Sequence, residues 1–162
     1  MKKLLILVMM VSMLLAGCST TKPVTNNDQN KYFPDGTFFT AELFVEFTEE
    51  FDDILVPEKG QAYIIDLRSE DEYNAGHFIG AVNEKEDIDV ENELVPKLYD
   101  DYWIFIVGED AAAERIAKEL RENNRIAAYA IKGGYDALTQ KKELEKYITT
   151  DKYELEVIKT EY

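Results

Sequence analysis

Few side chains are available to do chemistry in this sequence. It has one Cys, Cys18, and one His, His77. A single Cys excludes a disulfide framework and any Cys-rich zinc site. A lone imidazole can move a proton or tie loops together through its two ring nitrogens. With no nucleophile beside it, the tie is the stronger reading. Carboxylates are abundant: 33 Asp plus Glu face 18 Lys plus Arg, a formal charge of −15. Such a chain repels phosphate backbones, so general nucleic-acid binding is excluded. Asp66 and Asp110, each expected at a strand end, could in principle hold Mg²⁺ for hydrolysis, but no further motif supports it. Glu84, Glu86, Asp87, Asp89, Glu91 and Glu93 offer the oxygens that calcium prefers. That stretch lacks the Gly at which an EF-type loop turns, and Ile88 and Val90 read as core anchors between solvated charges. No metal and no cofactor is assigned. Trp103 and the Tyr set read as packing rather than a ligand cage.

The elements that must position these groups follow from hydrophobic spacing. Thr40 is placed to cap a helix that buries Leu43, Phe44, Phe47 and Phe51. Pro57 to Gly60 reads as a turn, and Ala62 to Leu67 as a buried strand. Ser69 opens a capping box with Glu72, and that brief helix stops at Gly76. Gly80 to Asn83 reads as a short strand. Beyond the acidic residues, Leu94, Val95 and Leu98 mark a helical patch whose regularity Pro96 limits. Tyr102 to Val107 is the strongest strand. Asp110 is predicted to cap a helix from Ala111 to about Glu122, with Ala113, Ile116, Ala117 and Leu120 on one face. Ala127 to Ile131 is another strand, closed by Gly133-Gly134. Tyr135 to Tyr147 reads as mostly helical, and Tyr153, Leu155 and Val157 alternate. Strands alternating with helices predict an α/β domain with a mainly parallel sheet. Ligand sites in such domains lie at the carboxyl ends of strands, here Asp66-Leu67-Arg68 and Val107-Gly108-Glu109-Asp110.

The N-terminus reads as an address. Met1, Lys2 and Lys3 are a basic start, and Leu4 to Ala16 is an almost unbroken apolar run. The run falls short of the ~20 residues a membrane-spanning helix needs, but it suits the h-region of a secretory signal. It ends Leu15-Ala16-Gly17-Cys18, which resembles the lipobox of bacterial lipoproteins. The resemblance implies cleavage before Cys18 and a diacylglycerol on its thiol. It also implies a lipid-anchored position on the extracytoplasmic side of a bacterial cell membrane or outer membrane. An ordinary signal with an incidental Cys is the alternative. The expected organisation is residues 1–17 as signal and 18–36 as lipidated Cys and flexible tether. Residues 37–148 are then the folded domain, and 149–162 a C-terminal extension that could add an edge strand. All four Met lie in the signal. Once Cys18 is acylated the domain has no free sulfur for thiolate catalysis.

Within the domain, Tyr63-Ile64-Ile65-Asp66-Leu67-Arg68-Ser69, then Glu72-Tyr73, then Gly76-His77-Phe78-Ile79-Gly80-Ala81-Val82-Asn83 resembles the rhodanese-like domain. Ile131-Lys132-Gly133-Gly134-Tyr135 is similar to that family's Gly-Gly ending. The resemblance implies a sheet of about five mainly parallel strands with helices on both faces. In the residues themselves, Asp66 and Arg68 can pair or bond loop amides, and Gly76 and Gly80 permit tight backbone turns. Active relatives carry a nucleophilic Cys at the end of the fourth strand, before a loop whose N–H groups bind an anion. Counting back from Gly133-Gly134 through Leu120 places Val107 at that position. Residues 100–138 contain no Cys, Ser or Thr. The loop Val107-Gly108-Glu109-Asp110-Ala111-Ala112 lacks cations, and Asp110, folded back as an N-cap, would fill the anion cradle. The expected function is therefore recognition of a protein partner, or of a small ligand, by an inactive domain tethered to the bilayer through Cys18. Sulfurtransfer with a thiol supplied by a partner, or metal-dependent chemistry, is the alternative.

Overall fold

The computed structural model describes residues 36–57, 59–99, 101–124 and 126–154. The expected signal, Cys18 and nearly all of the tether lie outside the described residues, as do Leu155 and Val157. Among the described residues, no helix is long and apolar enough to cross a membrane.

The strands are β1 (Phe38–Phe39), β2 (Ala62–Asp66), β3 (His77–Phe78), β4 (Ala81–Asn83), β5 (Trp103–Val107), β6 (Ala127–Ile131) and β7 (Ile148–Thr149). The helices are α1 (Ala41–Glu50), α2 (Glu70–Ala75), α3 (Asp110–Asn124) and α4 (Gly134–Thr139). Five strands form one sheet in the order β1-β6-β5-β2-β4, with every neighbouring pair parallel. Strands β2 and β5 are buried along their whole length, which is why they read as continuous apolar runs. Side chains alternate across β5: Trp103, Phe105 and Val107 enter one core cluster, Ile104 and Ile106 the other. The first cluster is aromatic, with the Phe39, Phe44 and Phe47 rings 4.9–5.4 Å from Phe105. The second packs Ala113, Ile116, Ala117 and Leu120 of α3 against the opposite face. Helices therefore cover both faces of a parallel sheet.

Local signals place most elements. Thr40 caps α1, its hydroxyl accepting from the Leu43 N–H. Phe44 and Phe47 are fully buried, while Leu43 and Phe51 pack only partly. Ser69 and Glu72 form the expected capping box on α2. Pro96 lies in a short 3₁₀ turn, Val95–Lys97, which follows one π-helical turn, Val90–Leu94. Ile88 and Val90 are buried, as expected of anchors. Strands β1 and β3 have no counterpart in the sequence reading, β1 supplying the edge of the main sheet, and three further details differ from expectation. Helix α3 starts at Asp110 itself, and Glu109 occupies the cap position, its carbonyl accepting from the Ala113 N–H at 3.0 Å. The segment after Gly133 divides into α4 and a 3₁₀ stretch, Lys142–Tyr147. The strand that follows is β7, earlier than the Tyr153 alternation suggested, and it pairs antiparallel with β3 rather than with the main sheet.

His77 holds that small ribbon. The ring is 0% exposed and stacks on Tyr73 at 3.8 Å, only 10° from parallel. Nδ1 lies 2.8 Å from the Tyr73 carbonyl oxygen and Nε2 lies 2.9 Å from that of Asp151. This is the loop tie read from the sequence, reaching residue 151. Replacing it with Ala strips both contacts and leaves a small cavity. His77→Ala is expected to cost about 2–3 kcal/mol in urea unfolding. Native-state proteolysis should then open at residues 150–154. Stability within 0.5 kcal/mol of the parent would show that the tie is dispensable.

Candidate functional site

Strands β2, β5 and β6 end on the same edge of the sheet, and the loops beyond them enclose a cleft of about 440 Å³. Its wall includes Arg68, Glu72, Glu86, Gly108, Glu109, Asp110, Gly133, Gly134, Tyr135 and Asp136. The cleft lies where a parallel sheet places its ligand site. Both loops read from the sequence, after Asp66 and after Val107, meet there.

The Asp66 carboxylate is 1% exposed and does not line the cleft. Arg68 takes it in a forked pair: Nε donates to Oδ1 at 3.0 Å and Nη2 to Oδ2 at 2.6 Å. The Arg68 N–H also donates to Oδ1. Nη2 donates again to the Gly76 carbonyl at 2.9 Å, and the guanidinium lies 3.4 Å from the centre of the Tyr135 ring. Asn83 closes the arrangement, its amide donating to the carbonyls of Asp66 and Arg68. A planar fork, a carboxylate and an aromatic face suit one another, so the cation is held on every side. The pair ties the end of β2 to the Gly76 carbonyl and the Tyr135 ring; Asp66 is not free to bind Mg²⁺. Among the described residues no three His, Cys, Asp or Glu gather as a metal site. In the acidic stretch, Glu84 pairs with Lys97 and Asp89 caps the π-helical turn through Asn92.

The glycines of the resemblance serve different ends. Gly80 and Gly134 have positive φ, +72° and +57°, which other residues adopt at a cost. A Cβ on Gly134 would stand 2.6 Å from the Gly108 carbonyl oxygen, so the two loops touch through backbone alone. Gly76 differs from expectation: its backbone is extended, with φ 160°, and needs no glycine freedom. Its part is to end α2 and offer its carbonyl to Arg68.

Val107 is 0% exposed, packed in the aromatic cluster, and the cleft wall begins one residue later at Gly108. Asp110 overturns the N-cap expectation. Its Oδ2 pairs with Lys132 Nζ at 2.5 Å and its Oδ1 accepts from the Gly133 N–H at 2.9 Å. The carboxylate turns across the cleft to the Gly133-Gly134 turn because α3 has already begun at its own backbone. The lysine that meets it, Lys132, was missed as a site residue: the loop after β5 lacks cations, but the loop after β6 supplies one. Tyr135, the wall behind Arg68, was also missed. Each sits beside the glycine pair, and that adjacency is the only sequence signal either had.

Hydrogen bonding from Lys132, with help from Gly133, holds the Asp110 carboxyl below its usual range. A folded value below the unfolded one gives stability that is present above the ordinary carboxylate range and lost as pH falls through the folded value. Removing the lysine is expected to release Asp110. In Lys132→Met the carboxyl midpoint should rise toward its ordinary value in a ¹³C NMR titration. An unmoved midpoint would refute the pairing in solution. The pair is largely exposed, so its effect on stability is small.

Five carboxylates line the cleft, Glu72, Glu86, Glu109, Asp110 and Asp136, against one guanidinium already engaged. Glu72 is turned to Ser69 by the capping box, and that bonding lowers its pKa. An anion approaching the loop after β5 meets negative charge from Glu109 and Asp136, with no uncommitted cation on the wall among the described residues.

A family model described as Rhodanese-like domain matches residues 47–141. Among curated proteins, none matches the chain. Solved structures with a similar fold include the rhodanese-like domain of an Anabaena sp. protein. Its solution structure is 21% identical, with 65% of this chain and 75% of that chain covered and a TM-score of 0.47. The crystal structure of the Anabaena sp. protein gives 20% identity, 66% and 97% coverage, and a TM-score of 0.48. A rhodanese-related protein from Thermoplasma volcanium gives 14% identity, 70% and 97% coverage, and a TM-score of 0.48.

Proposed function

The chain belongs to the rhodanese-like domain family, and from that premise we propose that it is a recognition module without sulfurtransferase chemistry. The observation that supports this reading is the lining of the cleft. It presents carboxylates, its guanidinium is occupied by Asp66 and Tyr135, and its loop after β5 offers no nucleophile. Thiosulfate needs a thiolate to attack it and a positive cradle to hold it. An acidic cleft on an acidic protein favours the opposite kind of visitor, a basic surface on a protein partner. In the same reading Cys18 carries a diacylglycerol, and the tether holds the domain within roughly 25 Å of a bacterial membrane on its extracytoplasmic side.

One set of preparations tests both halves. Full-length protein is assayed for thiosulfate–cyanide transfer, with and without divalent metal and with a thiol donor. Rates equal to a heat-denatured control are expected. Turnover well above that control would overturn the binding-module reading in favour of an enzyme, and metal dependence would say of which kind. Cys18→Ala is expected to lose acyl labelling and to leave the precursor uncut. Retained labelling would overturn the anchor.

A further inference from the structure

A second cavity lies at the opposite edge of the sheet, where β2, β4 and β5 begin. It measures about 200 Å³, and Tyr63, Tyr99, Tyr102 and Tyr153 contribute to its wall beside Pro57. The sequence marks these tyrosines only as packing residues. The fold instead gathers four of them from three separate segments around one hollow. Tyr63 and Tyr102 stack at 4.8 Å, and Tyr102 meets Tyr99 at 5.1 Å, so three rings form one ladder. The outer rung, Tyr99, is 46% exposed, where most rings of this size are covered. Aromatic faces carry negative potential, and an exposed ring at the rim of a hollow is a usual anchor for a partner.

The described lining of the hollow carries no charge of its own, and Asp101, exposed, adjoins Tyr102 in the chain. Burial, with the neighbouring phenols and Asp101 adding to it, raises the hydroxyls of Tyr63 and Tyr102 above their ordinary range. No described Lys or Arg lines the cavity. The volume is below the ~300 Å³ at which pockets for drug-sized molecules begin, so it suits a single side chain. The chain itself shows what such surroundings hold: Arg68 lies over Tyr135 with the Asp66 carboxylate against its edge. At the second cavity the aromatic faces are present, an exposed carboxylate, Asp101, adjoins Tyr102 in the chain, and a guanidinium is left for a partner to supply.

We propose that the cavity between Tyr63, Tyr99, Tyr102 and Tyr153 is a docking site for an arginine side chain of a protein partner. This goes beyond the reading of the cleft and does not depend on it. Arginine fits better than lysine because its flat cation can stack on Tyr99 while its fork faces Asp101. Net charge of −15 would steer a basic partner toward either edge, and the tyrosines would select where arginine rests.

The test uses full-length protein in uncharged detergent micelles and two small probes, N-acetyl-arginine methylamide and its neutral citrulline isostere. Binding is followed by NMR shifts of the tyrosine rings at millimolar probe. The arginine probe is expected to shift Tyr99 and Tyr102 and to bind at least about threefold more tightly than citrulline. Tyr99→Ala and Asp101→Asn, both at exposed positions, should each weaken it by a similar factor. Glu109→Gln, in the cleft, should leave those shifts unchanged. Equal binding of citrulline would overturn the proposal, as would absence of shifts at the tyrosines. A Glu109-dependent response in place of a Tyr99-dependent one would place arginine in the cleft instead.

Discussion

Val107→Cys, made in a Cys18→Ala background, is expected to give no thiosulfate–cyanide transfer above the parent. Its thiol should be alkylated at least about a thousandfold more slowly in native protein than in urea. Residue 107 is the position that counting along the chain assigns to the missing nucleophile. Its side chain is 0% exposed, in the cluster that holds Phe39, Phe44 and Phe105. A thiol there could meet a reagent only when the core opens, and opening costs several kcal/mol, which sets the thousandfold factor. A thiolate is also disfavoured in apolar surroundings, so the closed state holds the group as an unreactive thiol. The acidic wall of the cleft adds a second and separate obstacle, because thiosulfate would approach Glu109 and Asp136. The two can be told apart. If alkylation is fast but transfer is absent, the side chain reaches the cleft and charge alone blocks the reaction. Robust transfer by the single variant would refute both arguments.

Arg68→Met should lower stability by about 3–5 kcal/mol, the largest loss expected of any single substitution outside the aromatic core. The methionine keeps much of the stem that packs on Tyr135 but leaves Asp66, 1% exposed, with a buried charge and no counter-ion. Asp66→Asn removes that charge and should cost less. The double variant Asp66→Asn/Arg68→Met should lose clearly less than the two single losses added, with a coupling of at least about 1 kcal/mol. Fluorescence of Trp103, the one tryptophan and a buried one, reports unfolding in urea. A loss below 1 kcal/mol for Arg68→Met would class the pair with surface ion pairs. In that case Arg68 would be available to a ligand, and the reading of the cleft as a place without an uncommitted cation would fail with it.

Both expectations rest on facts that only the folded chain supplies. The residue types at 66, 68, 107 and 110 were visible at once, and their roles were not. Asp66 and Arg68 are two apart, so their pairing could be foreseen. The ring of Tyr135 behind the guanidinium comes from 67 residues further on. Asp110 was given to its own helix because a carboxylate before an apolar periodic run normally caps it. The helix began one residue earlier than that pattern implies, and Lys132 was brought within reach by the parallel pairing of β5 with β6. Val107 reads as the end of a strand, yet its outlook was invisible, because alternation on a strand says which faces differ and not which one faces a site.

The sequence by itself determined the α/β class, the order of the helices and central strands, the caps at Thr40 and Ser69, the buried strands and the resemblance that named the family. These depend on residues within a few positions of one another, where propensity, spacing and short hydrogen bonds decide. Tertiary structure alone decided which charges meet: Asp110 with Lys132, Arg68 with Tyr135, His77 with the carbonyl of Asp151. It also decided that tyrosines from separate segments would share a cavity at the far edge of the sheet. Those contacts join parts of the chain that only sheet register and core packing bring together, and no local pattern carries that information.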